Sequence, residues 1–279
     1  MNWKYVLIGF LRRYVPQRVL FAVMERRGDG SVEEKAPGDC LEMWLDRLSK
    51  HGLHLAAKHI LEIGSGRYAR LALQMLAAGA QSITLIDPYA VSLTEPVHRT
   101  MLRKDCSGLG LNCEDAFSRI HIVRGDITRL PSPLPDRQMD LAITHSVLEH
   151  VRDPKAVLTC CWKWLKPGGI TEHIIDLRDH NLRFRYPYEM LTFSDHVWSR
   201  WLDLRGGFHL NRWRVPDYLR AAHVADFVNI DYEILLKDEA ALKAILPRLH
   251  CRFRSVPEEL LSILSISLYC QKPLNVESE

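Results

Sequence analysis

The chain has 279 residues, of which 47% are hydrophobic and 25% are charged, and its formal net charge is +3. This length suits one large α/β domain with insertions better than two full domains. A chain with this share of hydrophobic residues is not expected to be disordered. Seven cysteines include no Cys-x-x-Cys pair, so the sequence predicts no metal site and reduced thiols in a cytoplasmic protein.

The N-terminal residues 1–27 hold most of the positive charge, with six basic side chains and one acid, which leaves a net charge of −2 for the rest of the chain. The apolar side chains of this leader recur at helical spacing and are Trp3, Val6, Leu7, Phe10, Leu11 and Tyr14. Two interpretations stay open: a helix that packs on the main domain, or a basic amphipathic helix on the anionic inner face of a membrane. The run Tyr5–Leu11 is far shorter than the roughly 20 residues of a membrane span. Because the basic residues lie in the leader and not across the main domain, nucleic acid is not an expected partner.

We predict a leader and linker over residues 1–38 and one domain over 39–279, in which helices and strands alternate. The predicted helices lie at about 40–51, 68–79, 91–104, 154–164 and 215–223. The predicted strands are His59–Gly64, Ser82–Asp87, Arg119–Arg124, Met139–Thr144, Ile170–Asp176, Phe227–Ile234 and Ile266–Cys270. Short apolar strands rich in β-branched residues predict a doubly wound, mostly parallel seven-stranded α/β sheet. Residues 178–210, rich in arginine, histidine and aromatic residues, are predicted to form a lid-like insertion after strand five.

A glycine turn joins the first predicted strand to the next helix, with the sequence Gly64-Ser65-Gly66-Arg67-Tyr68. Glycine allows a ligand to approach the backbone closely, and the following helix offers free N–H groups to an anion. The pattern by itself also fits dinucleotide enzymes.

Acidic residues stand at the ends of three successive strands: Glu62, Asp87 and Asp126. Asp87 can accept both hydroxyls of an adenosine ribose, and Asp126 can accept from an adenine amine while Ile127 packs on the ring. The alternative for each aspartate is that it caps a helix or turn. Since the carboxyl ends of parallel strands share one edge of a sheet, we expect the three acids to lie together.

These motifs, in this order, resemble the class I S-adenosylmethionine-dependent methyltransferases. Glu62–Gly66 is similar to their first motif, Asp87 to the ribose-binding acid and Asp126-Ile127 to the adenine site. Asp140–Thr144 followed by Ser146–Val151 resembles the strand-four segment of the small-molecule and lipid members, and Leu165–Gly169 is similar to the turn before their fifth strand. The resemblance implies a Rossmann-like methyltransferase fold, S-adenosylmethionine as cofactor, and a cofactor site that also includes Thr144 and His145. It covers residues 40–177 well and the rest loosely. Tyr68 replaces the third glycine of the first motif, and Arg67 is a candidate partner of the methionine carboxylate.

Methyl transfer from a sulfonium requires mainly alignment, with a base for a hydroxyl acceptor. The candidate bases are His180, which Asp176 or Asp179 can orient, and His145; His150 is expected to be a structural helix residue and His173 a core residue. The sequence favours O-methylation of a small-molecule, saccharide or lipid-linked acceptor, since the insertion combines aromatic and arginine side chains. Two alternatives stay open: an NAD-type oxidoreductase, although Ala69 replaces its third glycine, and a non-catalytic binding protein with this fold.

Overall fold

The computed structural model describes residues 5–7, 19, 37–66, 69–90, 92–129, 134–180, 187–203 and 209–275. Its strands are β1 (His59–Ile63), β2 (Ser82–Ile86), β3 (Ile120–Val123), β4 (Met139–His145), β5 (Leu165–Asp176), β6 (Val228–Lys237) and β7 (Ile263–Gln271). They form one seven-stranded sheet in the order β3-β2-β1-β4-β5-β7-β6, mostly parallel with an antiparallel hairpin at one edge. The predicted fold class is therefore confirmed.

The α-helices are α1 (Pro37–Lys50), α2 (Arg70–Ala77), α3 (Pro96–Gly108), α4 (Cys113–Ser118), α5 (Pro154–Trp164), α6 (Asp195–Val197), α7 (Val215–Val224), α8 (Glu239–Ile245) and α9 (Glu258–Leu261). Short 3₁₀ or π turns lie at Glu189–Thr192, Trp198–Leu202, Leu246–Arg248 and Cys251–Phe253. None of the helices in the described part of the chain is both long and apolar enough to cross a membrane.

The helix predicted from residue 91 begins instead at Pro96. Glu95 is its extended N-cap residue, because a residue before proline avoids the helical conformation and proline suits the first helical position. Helix α4 was not predicted; its N-cap is Asn112, whose side chain accepts from the N–H groups of Glu114 and Asp115.

Strand β5 begins at Leu165 and not at the predicted Ile170, so the Lys166–Gly169 segment lies inside the strand. The N–H of Gly168 donates to the carbonyl of Lys272 across 3.1 Å. Gly168 has a φ of +77°, and a Cβ there would lie 2.7 Å from Cδ2 of Leu274. Only glycine fits this bend, so the segment that resembled a turn continues the strand. Strand β7 likewise begins earlier than predicted, at Ile263.

The chain divides into two compact units. Unit 1 comprises Met1–Gly30, Ser146–Leu158 and His173–Cys270, and unit 2 comprises Ser31–His145, Thr159–Glu172 and Gln271–Glu279. In unit 2, β1 pairs in parallel with β2 and β4, and β2 pairs in parallel with β3. The side chains of these strands are largely buried, as expected for a parallel sheet covered on both faces.

Unit 1 has its own apolar cluster, which includes Tyr5, Tyr188, Phe193, Trp198, Leu242 and Phe253. Arg214, fully buried, donates to the backbone carbonyls of Leu177, Leu261 and Ile263 and so ties three segments of the unit together. Burial lowers the pKa of Arg214 to about 10, so the side chain stays charged at neutral pH and its carbonyl partners satisfy that charge.

Tyr5–Leu7 and Val19 are the described residues of the leader. Tyr5 is buried in unit 1: its hydroxyl donates to Oδ2 of Asp179 across 2.6 Å and its ring stacks on Phe193 at 5.3 Å. At this residue the leader packs on the protein. The other residues of the predicted apolar stripe, apart from Val6 and Leu7, and the six basic side chains lie outside the described residues.

Candidate functional site

The predicted glycine turn follows β1 in unit 2. Gly64 and Gly66 have φ values of +84° and +65°, a conformation in which a side chain is strained. The N–H of Gly64 donates to the carbonyl of Ile86 across 2.8 Å, which fixes the turn against the end of β2. A Cβ at Gly66 would meet none of the described residues within 4 Å, so among these residues open space lies beside the turn. Arg67 and Tyr68 lie outside the described residues.

Ser65 lies between the two glycines and is 6% exposed. Its Oγ is buried and makes no hydrogen bond to any described residue. Buried hydroxyls are nearly always hydrogen-bonded in folded proteins. The buried Oγ of Ser65 and the open space beside Gly66 would both suit a polar ligand that binds at this turn.

Asp87 follows β2 and faces the turn. Its Oδ2 accepts from the N–H of Gly66 at 3.0 Å, and its Oδ1 accepts from the N–H of Tyr89 at 2.6 Å. Burial raises the pKa of Asp87, and the two N–H groups oppose this effect by favouring the carboxylate. Each carboxylate oxygen has a second lone pair, so the side chain can accept two ligand hydroxyls without breaking these bonds.

Glu62, Thr144 and His145 lie at the same edge of the sheet as Asp87. The register pairs Ile63 with both Ile86 and Thr144, so these strand ends are level. Thr144 is buried, whereas Glu62 and His145 are half-buried. The His145 ring packs edge-on against Trp44 of α1, with the ring centres 6.5 Å apart. The structure thus brings Glu62, Asp87 and His145 to one edge.

Asp126 follows β3, but its carboxylate is used locally. Oδ1 accepts from the N–H and the hydroxyl of Thr128 at 3.0 and 2.7 Å, and Oδ2 lies 3.5 Å from Nε of Arg129. The side chain is 46% exposed, while Ile127 is buried. Asp126 therefore caps the turn after β3, which was the alternative role considered for it.

A second group of polar residues lies in unit 1, at and after the end of β5 and in the segment that begins at Ser146. Nε2 of His180 lies 3.1 Å from Oδ2 of Asp176, and the Arg178 guanidinium pairs with the same carboxylate at 2.6 Å. Burial alone would raise the pKa of Asp176, but the hydrogen bonds from His180 and Arg178 outweigh it and hold that pKa below its usual range. Asp176 is therefore a stable carboxylate that orients the His180 ring. Asp179 instead accepts from Tyr5.

Glu149 and His150 belong to a turn between β4 and α5 and not to a helix, as had been expected for His150. Nδ1 of His150 lies 2.7 Å from the carbonyl of His209, and its ring centre is 4.9 Å from that of His180. The Asn211 side chain fixes the turn by donating to the carbonyls of Leu148 and Val151. Apart from the Leu-Glu-His motif, no local pattern indicates this cluster, because His180 lies 30 residues further along the chain.

His173 is fully buried in β5, as predicted for a core residue. Burial lowers its pKa to about 3, so the ring is neutral at physiological pH.

Arg212, which follows the insertion, binds to residues within it. It is 3% exposed, donates to the carbonyls of Met190 and Phe193, and stacks on the Trp198 ring at 5.0 Å. Trp201 is 40% exposed. Arg183, Arg185 and Tyr186 lie outside the described residues.

Comparison with known proteins matches residues 61–171 to the family model described as "Methyltransferase domain". A curated relative, the mitochondrial ubiquinone biosynthesis O-methyltransferase of Dictyostelium discoideum, is 22% identical over 191 residues, which are 64% of this chain and 57% of the relative. The chain therefore matches little more than half the length of that relative.

Two solved structures share the fold. An S-adenosylmethionine-dependent methyltransferase of Mesorhizobium loti is 16% identical with a TM-score of 0.50, over 86% of this chain and 99% of its own. The phosphoethanolamine N-methyltransferase 2 of Haemonchus contortus, solved with S-adenosyl-L-methionine, is 15% identical with a TM-score of 0.51, over 81% of this chain and 51% of its own.

Proposed function

We propose that this chain transfers a methyl group from S-adenosylmethionine to a small-molecule acceptor. Through its residues 61–171 the chain belongs to the class I S-adenosylmethionine-dependent methyltransferases. S-adenosylmethionine is the cofactor of that family. The oxidoreductase alternative is not favoured, because the matched family model is a methyltransferase model.

The observation that carries the proposal is the link between Gly66 and Asp87. One hydrogen bond of 3.0 Å joins the glycine turn to the ribose-binding acid, and the orphaned Oγ of Ser65 lies in the same turn. A ligand with a diol and a polar tail, as an adenosyl amino acid has, supplies partners for both features.

We assign the cofactor site to unit 2. The residues proposed to hold the cofactor are Glu62, Gly64, Ser65, Gly66, Arg67, Asp87, Asp126, Ile127, Thr144 and His145. In this assignment Asp87 accepts from the ribose hydroxyls, the Gly64–Gly66 backbone and Ser65 approach the methionine part, and Ile127 supports the adenine. To bind the adenine amine, the Asp126 carboxylate has to accept one more hydrogen bond in addition to the two that Thr128 donates to it. When bound, the cofactor supplies an already activated methyl group, so the protein has mainly to align the acceptor.

For an acceptor hydroxyl we propose His180 as the general base, with His145 as the second candidate. The contact of 3.1 Å with Asp176 holds the His180 ring in place and stabilises the imidazolium that forms when the ring takes the hydroxyl proton. The side chain is 18% exposed, so solvent or an acceptor can reach it.

Oxygen is our proposed methyl-accepting atom, which the name of the curated relative supports. Saccharide and lipid-linked molecules are the acceptor classes that the arginine and aromatic side chains of the insertion suit best. Contact between the leader and an anionic membrane stays a prediction, and the burial of Tyr5 supports the packed alternative at that residue.

Calorimetric titration tests the proposed function directly. The purified chain should bind S-adenosylmethionine and S-adenosylhomocysteine and should ignore NAD. Transfer of a labelled methyl group into a small-molecule extract then separates an enzyme from a non-catalytic member of the family. Binding of NAD alone would overturn the proposal.

A further inference from the structure

Three side chains of metal-ligating type converge within unit 1: Glu149, His150 and His180. Their potential ligand atoms all lie within 4.8 Å of one another, although the residues come from two separate segments, after β4 and after β5. We propose that Glu149, His150 and His180 bind one divalent transition-metal ion such as Zn²⁺ or Co²⁺.

Glu149 provides the first argument. The residue is 3% exposed, and its Oε2 is buried without a hydrogen bond to any described residue, while Oε1 accepts from the N–H of Asp176 at 3.4 Å. A buried carboxylate oxygen without a donor is costly, and a cation satisfies it.

The two histidines are held as metal ligands usually are. A backbone carbonyl only accepts, so the contact of 2.7 Å with the His209 carbonyl assigns the proton of His150 to Nδ1 and a lone pair to Nε2. For His180, Oδ2 of Asp176 lies 3.1 Å from Nε2, and we assign the other ring nitrogen, Nδ1, to the metal. A carbonyl or carboxylate behind the ring orients a metal-binding histidine.

The donor set suits a transition metal. Two imidazoles and one carboxylate are ligands for zinc and its neighbours, whereas magnesium and calcium prefer oxygen alone. Ligand atoms about 2.0–2.2 Å from a tetrahedral ion are about 3.3–3.6 Å from each other. Starting from separations within 4.8 Å, the three side chains have to close by up to roughly 1.4 Å to bind the ion.

This site goes beyond the proposed function and does not depend on it. The ligands belong to unit 1, whereas the proposed cofactor residues belong to unit 2. In the metal-bound protein His180 is a ligand, and the role of general base passes to His145.

The test uses the full chain, stripped with a chelator and titrated with Co²⁺ alone while the visible absorption of the ion is recorded. We expect one equivalent to bind with a tetrahedral or five-coordinate spectrum, and an excess of Zn²⁺ to displace it. Glu149→Gln keeps the size of the side chain but should abolish the spectrum, and His180→Ala should do the same. Asp176→Asn, which removes the charge behind His180 and beside Arg178, should weaken binding by about 10–100-fold. His223→Ala is the matched control, since His223 is exposed on α7 of the same unit, and should bind as the wild type does.

Thermal unfolding without metal shows which variants are folded, and only these are compared. A wild type that shows no bound-cobalt spectrum, or a folded Glu149→Gln variant with undiminished affinity, overturns the proposal. Because S-adenosylhomocysteine binding is measured separately on the same samples, loss of the metal site and loss of the proposed function are distinguishable.

Discussion

The backbone N–H of Gly66 and the carboxylate of Asp87 are joined by a hydrogen bond of 3.0 Å, although the two residues lie 21 positions apart in the sequence. The bond connects the turn after β1 to the end of β2. It places the backbone that would approach the methionine part of the cofactor beside the acid that would accept from the ribose.

Replacement of Asp87 by alanine should weaken S-adenosylhomocysteine binding by about 1–3 kcal/mol, because hydrogen-bonding groups of the ligand and of Gly66 lose their partner. Calorimetry measures the change. Asp136→Ala is the control, since Asp136 forms an exposed ion pair with Lys163 before β4, far along the chain from the turn. Equal affinities of the Asp87 variant and the wild type would remove Asp87 from the site.

Replacement of Gly66 by alanine should lower cofactor affinity more than it lowers stability. Its φ of +65° makes any side chain strained, at a cost of about 1–2 kcal/mol, and the new methyl group would enter the open space proposed for the ligand. Gly52 is the matched control: its φ is +67°, a Cβ there also meets nothing within 4 Å, and it follows α1 instead of β1. Urea unfolding should show similar losses of stability for both variants, with S-adenosylhomocysteine binding impaired only in Gly66→Ala. Equal binding by both would contradict the assignment of this turn.

Replacement of Tyr5 by phenylalanine should reduce the free energy of unfolding by about 1–3 kcal/mol, because the buried Asp179 carboxylate loses a donor. Denaturant unfolding checks this value, with Tyr232→Phe on β6 as the control. Wild-type stability in the Tyr5 variant would mean that the leader does not pack on unit 1 in solution.

In protein kept free of metal by a chelator, replacement of His180 by alanine should slow methyl transfer by about 10²–10⁴-fold if this histidine is the general base, while S-adenosylhomocysteine binding is retained. The assay is the transfer of labelled methyl groups into a small-molecule extract, and His223→Ala serves again as the control. Near-normal transfer would leave His145 as the remaining candidate base.

Much of the fold follows from local patterns in the sequence. The apolar, β-branched segments at β1, β2 and β4 identify buried parallel strands, and the glycine turn and Asp87 lie at the ends of two of them. Where prediction failed, single residues decided the outcome: Pro96 fixes the start of α3, Asn112 caps α4, and Gly168 lets β5 begin at Leu165.

The polar cluster in unit 1 cannot be predicted from local sequence patterns. The sequence predicts His150 as a structural helix residue, but it lies in a turn that Asn211, 61 residues later, holds in place. The contact between His150 and His180 depends on tertiary structure, which periodicity and motif spacing do not encode. Asp126 shows the opposite case, in which the capping role is visible in the sequence and competes with the role implied by the family.

The central claim is that the edge of the sheet formed by Glu62, Asp87 and the Gly64–Gly66 turn binds an adenosyl amino acid. Thermal unfolding of the wild type with and without S-adenosylhomocysteine tests it most directly, because a ligand bound only by the folded state stabilises that state. At 100 times its dissociation constant the ligand should add about 2.7 kcal/mol and raise the unfolding midpoint, and the increase should be smaller in Asp87→Ala. An unchanged midpoint of the folded wild type at millimolar S-adenosylhomocysteine would contradict the account.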